Sequence, residues 1–281
     1  MNWTYSSILK LGSSRDSIVN AICEQSDVNL YRKLRNASTT CDDEFYKSHF
    51  LGFSFIVPED SGAAQDKYFS TLFRNINVHG SRLHPLESRR SLYFMDKKYT
   101  NWFEPDFCQK ILYGPKEGTG SACLDFTRAI SVLTQYCRCD DIQKVAKGYA
   151  GKMEDYYKEY ILSVVNKNGS DRFGAFDELF KGEEFGDALS VLMKNLEVLG
   201  LNRKYISIID LDVYIFGVIY YTIFKKKQLR RNFRQSIFNQ RAEALISNFK
   251  NVQDHRQQPG RLVNLRRRIE ASIQLYDYLF D

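Results

Sequence analysis

After Pro58 the chain carries almost no alternating apolar and polar segments, while helical spacing recurs to its end. Apolar residues three and four apart fill one face of a helix, whereas strands need a period of two. This pattern predicts a mainly α protein of the α+β kind. Phe69, Leu72, Phe73 and Ile76 mark one helix over Gln65 to Ile76, and Pro85 opens the next, where its missing N–H costs nothing. Leu124, Ala129, Ile130 and Leu133 are the inward positions of a helix over Ala122 to Tyr136. Further helices are expected over Met153 to Val165 and Glu183 to Leu199. Phe50 to Val57, aromatic and β-branched and stopped by Pro58, is the one expected strand, and Ser13 with Asp16 resembles a capping box before Ile18, Val19 and Ile22.

The most apolar run, Val213 to Phe224, follows Asp210 and Asp212. About twelve helical residues span only ~18 Å of a ~30 Å hydrocarbon layer, so a buried helix is expected and a membrane span is not. Six cysteines show no CxxC pair, and no secretory leader precedes them. They read as free thiols of a cytoplasmic protein, and Cys137-Arg138-Cys139 alone does not make a zinc site. The four histidines are not at metal spacing, so no metal is expected.

Charge is unevenly distributed. Lys225 to Arg268 holds thirteen Lys or Arg against Glu243 and Asp254, a local +11 in a chain whose total is +6, so the remainder is net acidic. Two helices are expected there, about Arg230 to Asn251 and Leu262 to Phe280, joined by His255 to Gly260. The first has Arg230, Arg234 and Arg241 on one face and Phe233, Ile237, Ala244, Leu245 and Phe249 on the other. The second has Arg266, Arg267 and Arg268 near its start and Ile269, Ile273, Leu275, Tyr276 and Leu279 inward. Arginines at a helix start call for an external anion or an acidic neighbour. The six arginines are candidate phosphate contacts, and packing against the acidic body is the competing structural use.

Gly114 to Gly120 is glycine-rich but lacks the Lys-Ser/Thr of a phosphate-binding loop, so it reads as a helix connector. The stretch Phe73 to Phe94 is more specific. Phe73, Asn77, Gly80, Leu83, Glu87, Arg89 and Tyr93 resemble the segment F-x-R-x-N-x-x-G-x-x-L-x-x-x-E-x-R-x-A-x-Y of the GmrSD-type restriction endonuclease N-terminal family, whose core is like those of ParB and sulfiredoxin. Trp102-Phe103 and the run Leu124 to Ala129 continue the resemblance, which covers roughly residues 66–224, mostly as helix order. It implies a remnant of an α/β core over 1–60 and a helical domain over 61–225, and the charge and spacing beyond it make 226–281 a basic helical tail. It also implies a DNA-associated component of a restriction or phage-defence system that binds nucleic acid or a partner subunit. Asn77, Gly80, Glu87 and Arg89 are its motif residues here.

Family members that cleave DNA carry an Asp-Gly-x-Gln-Arg motif, of which this chain keeps only Leu11-Gly12-Ser13-Ser14-Arg15. With the acid and the glutamine replaced, the expectation is a non-catalytic, degenerate member whose missing core is supplied by a partner subunit. The alternative is an active NTP-dependent endonuclease with a remodelled site at Arg15, Asp16 and Glu87, and only that alternative calls for NTP and magnesium.

Overall fold

The computed structural model describes residues 85–94, 96–114, 120–166, 170–180 and 185–281. The chain divides into two compact units, Met1–Val57 and Pro58–Asp281. The first unit lies outside the described residues. So do the expected strand Phe50 to Val57, the expected helix Gln65 to Ile76, and Arg15, Asp16, Asn77 and Gly80.

The second unit is mainly helical. Its described α-helices are α1 Pro85–Tyr93, α2 Thr100–Phe103, α3 Phe126–Cys139, α4 Met153–Val165, α5 Phe176–Phe180, α6 Phe185–Val198, α7 Ile208–Ile219, α8 Gln235–Asn251, α9 Gln253–Gln257 and α10 Leu262–Tyr276. A small sheet of β1 Leu112–Tyr113, β2 Ala122–Cys123 and β3 Lys204–Tyr205 runs in the order β2-β1-β3. β1 pairs antiparallel with β2 and parallel with β3. The glycine-rich loop therefore links two strands of a hairpin, not two helices. Its ends are close: a Cβ on Gly114 would lie 2.8 Å from the carbonyl oxygen of Gly120.

α7 occupies the centre. Every residue from Ile209 to Ile219 is buried, as an all-round apolar helix requires. α3, α6, α8 and α10 pack around it, and α10 crosses it most closely. The crossing depends on Gly217, where a Cβ would lie 2.3 Å from Cδ2 of Tyr276 and 2.5 Å from the Ser272 carbonyl oxygen. At this point the Ser272 hydroxyl accepts from the Gly217 N–H at 2.7 Å and donates to the Val213 carbonyl at 2.8 Å. Those two backbone groups are four residues apart and would pair with each other in an ideal helix, so α10 inserts a side chain into the ladder of α7. α7 then continues as a π-helical turn, Tyr220–Phe224.

A second cluster is aromatic. Trp102 is fully buried and meets Phe126, Phe176, Phe180 and Phe185 at centroid distances of 5.2–6.0 Å, mostly edge to face. Its indole N–H donates to the Tyr160 hydroxyl at 3.1 Å, so the polar atom of the largest core side chain is satisfied.

Residues 226–281 do not form a separate tail: they share the core of the unit that begins at Pro58. The expected helix from Arg230 begins only at Gln235, and Lys225 to Arg234 is irregular chain. Its buried positions are Phe238, Ala242 and Ile246, whereas Ala244 is exposed. α10 buries Ile269, Ile273, Leu275 and Tyr276, with Leu279 buried beyond it, on the expected face.

Candidate nucleic-acid interface

Two helix starts carry the acids that organise the ionic core. Asp125 caps α3, accepting from the Arg128 N–H at 2.9 Å, and this leaves its second oxygen to receive Nη1 of Arg89 at 2.7 Å. Glu154, in the first turn of α4, takes Nε and Nη2 of the same guanidinium at 2.8 and 2.6 Å. The Arg89 guanidinium also lies 4.5 Å from the Tyr157 ring centre. Burial disfavours its charge, but the Glu154 hydrogen bonds and the Asp125 charge outweigh this and raise its pKa. Arg89 is 4% exposed, so it ties α1 to α3 and α4 and presents no free fork to solvent. Glu87, two residues earlier on α1, is exposed.

The second ionic group lies deeper. Asp212, inside α7 and 2% exposed, is held bidentate by Arg128 at 2.7 and 2.6 Å and by Nε of Arg268 at 2.9 Å. Burial alone would raise its carboxyl pKa; the charges of Arg128 and Arg268 reverse this and hold it below the ordinary range. Nη2 of Arg268 donates to the Pro259 carbonyl at 2.6 Å and Nη1 to Nε2 of His255 at 2.9 Å. His255 must accept that bond and is therefore neutral. It is 1% exposed, stacked 4.5 Å from Phe249, and burial followed by the charges of Arg268 and Arg267 pushes its pKa down to about 4.

Arg268 is 0% exposed and cannot reach a phosphate, which corrects its place among the candidate contacts. A cation must enter α7 to neutralise Asp212, and one position of the Arg266-Arg267-Arg268 run is taken for that. Arg266 is half-buried and donates Nε and Nη2 to the Val145 carbonyl at 3.0 and 2.6 Å. Arg267 is exposed.

The exposed cations gather elsewhere. Lys225 to Arg234 holds six Lys or Arg and no acid, and Lys225, Lys226, Arg230, Arg231 and Arg234 are all exposed. Because this segment is irregular, Arg230 and Arg234 do not share a helical face with Arg241, as the spacing predicts. Arg230 pairs with Asp281, and its N–H bonds the Leu279 carbonyl beside a bridge between Leu229 and Phe280, so the loop is pinned to the end of the chain. Arg241 is exposed on α8 with its guanidinium 4.5 Å from the Tyr278 ring centre. The arrangement offers several cations on a backbone fixed at one point, which suits a chain of phosphates.

Among the described residues no group of His, Cys, Asp and Glu is placed to hold a metal, and no helix is long and apolar enough to cross a membrane. The spacing alone singles out neither Asp212 nor His255, although two acids beside a wholly apolar run, Asp210 and Asp212, signal that cations must meet them where they are buried. Comparison with known proteins finds no matching family model, no matching curated protein and no matching solved structure.

Proposed function

We propose that this protein is a DNA-associated, cytoplasmic component of a restriction or phage-defence-like system, binding nucleic acid through its phosphates without chemistry of its own. The observation that carries the binding is the exposed loop Lys225 to Arg234, with six cations and no acid. Arg241 and Arg267 extend the set, and Arg268 is excluded from it. The biological setting rests on the resemblance of Phe73 to Tyr93, and the loss of the motif acid at Leu11 supports a non-catalytic role with a partner subunit supplying the missing core.

The test is a titration of labelled duplex DNA over a range of salt, followed by incubation with magnesium and NTP. Each phosphate neutralised contributes about −0.9 to the log–log slope, so four to six contacts give about −4 to −5. No binding at low salt, or salt-independent binding, rejects the reading. Cleavage lost on changing Asp16 or Glu87 installs the NTP-dependent nuclease in its place.

A further inference from the structure

We propose that the groove between the starts of α4 and α10 is a docking site for an acidic peptide segment of a partner protein, one carrying carboxylates beside apolar anchor side chains. The groove encloses about 540 Å³. Gly151 and Met153 form one wall, and Gly260, Leu262 and Val263 form the other. Val263 is 40% exposed and Leu262 and Met153 are only half-buried, although α10 buries Leu265, Ile269, Ile273 and Leu275 further along. An apolar strip left uncovered in this way gains from contact with apolar side chains.

Charge selects the occupant. Arg261 and Arg266 are the charged residues of the lining, no acid lines it, and the exposed Lys152 lies in the chain between the lining residues Gly151 and Met153. Val145 fixes the Arg266 fork through Nε and Nη2, which leaves the Nη1 donors for a ligand. Arg261 is 54% exposed and shares its charge with Asp254. The first turn of α10 has no side-chain cap and no acid, so its leading N–H groups add partial positive charge to the lining, whereas Glu154 and Asp155 occupy the first turn of α4. The backbone at Gly151 and Gly260 is bare, with no atom within 4 Å of where a Cβ would stand, so a peptide main chain can approach closely.

A duplex backbone has no apolar groups to cover Val263, and a small anion would leave the strip wet. An extended chain that alternates acids with Leu or Phe satisfies both. This site is separate from the basic loop: α10 is fifteen residues long, about 22 Å, and the loop is pinned near Phe280 beyond its far end.

The test is fluorescence anisotropy with a labelled twelve-residue peptide alternating Glu and Leu, its Lys-for-Glu counterpart and a twelve-nucleotide single strand. Saturable binding of the acidic peptide is expected, weakened at least tenfold by Val263→Asp, several-fold by Arg266→Gln, and unchanged by Arg231→Gln. Val263→Ser, which keeps an uncharged side chain at an exposed position, replaces Val263→Asp if circular dichroism shows that variant misfolded, with a several-fold loss expected. Absence of saturable binding, equal affinity for the Lys counterpart, indifference to Val263, or displacement of the peptide by the oligonucleotide overturns the proposal.

Discussion

Replacing Arg268 by Ala removes a fully buried cation, and the contacts it makes set the size of the effect. Asp212 keeps its bidentate bond to Arg128, so its charge is not stranded, but it loses the Nε bond at 2.9 Å. The Pro259 carbonyl and Nε2 of His255 lose their donor in a place closed to water. A buried acceptor left unpaired costs about 1–3 kcal/mol, and breaking a buried ion pair costs about 3–5 kcal/mol when nothing replaces it. With Arg128 retained, the expected loss is about 3–5 kcal/mol in total, roughly 10 °C in Tm for a unit of this size. Urea unfolding followed by circular dichroism measures it, with Arg267→Ala as the exposed neighbour expected to change stability by less than ~0.5 kcal/mol. A loss below ~1 kcal/mol for Arg268→Ala, or equal losses for the two variants, refutes the reasoning that Arg268 is structural.

Arg89→Ala should cost about 1–3 kcal/mol, because its hydrogen bonds tying α1 to α3 and α4 are lost while the side chains of Asp125 and Glu154, 22% and 39% exposed, keep access to water; the same urea titration measures it, and a loss near zero would return Arg89 to the surface. Gly217→Ala should destabilise by about 1–3 kcal/mol, because the added carbon collides with Tyr276 and the Ser272 carbonyl and the gain in helix propensity offsets only part of this; a stabilised variant would contradict the crossing. Stability should fall with acid between pH 6.5 and about 4. There the unfolded chain protonates His255 while the folded one, with its pKa lowered, does not. The slope is about 1.4 kcal/mol per pH unit, near 2 kcal/mol lost by pH 5, and His255→Gln should flatten the urea midpoint over that range. Below this window the lowered pKa of Asp212 adds a further loss as pH drops past the ordinary carboxylate range.

Helix order was legible because burial follows local period. Met153 to Val165 appears as α4 with the expected bounds, and Ile269, Ile273 and Tyr276 are buried as spaced. The errors arise where one residue rotates a helix face by about 100° or where a distant partner decides. α8 buries Phe238, Ala242 and Ile246, four apart, against α7 and leaves Ala244 exposed, a face chosen by the partner helix. Ala122 and Cys123 join a strand because β1 offers pairing and Asp125 caps the helix after them. Arg268 meets Asp212 across 56 residues, and His255 lies in a short helix where the composition reads as linker. No local pattern encodes either contact, so the sequence shows where the cations are concentrated and only the packing divides them between core and surface.

That division is the central claim, and the salt dependence of duplex binding tests it most directly. The measurement compares the wild-type protein with Arg231→Gln/Arg234→Gln, two exposed positions of the basic loop whose change leaves the core intact. The log–log slope should become shallower by about 1.8, at ~0.9 per lost phosphate contact, with affinity falling for all sequences alike. An unchanged slope in a variant that folds normally would contradict the account.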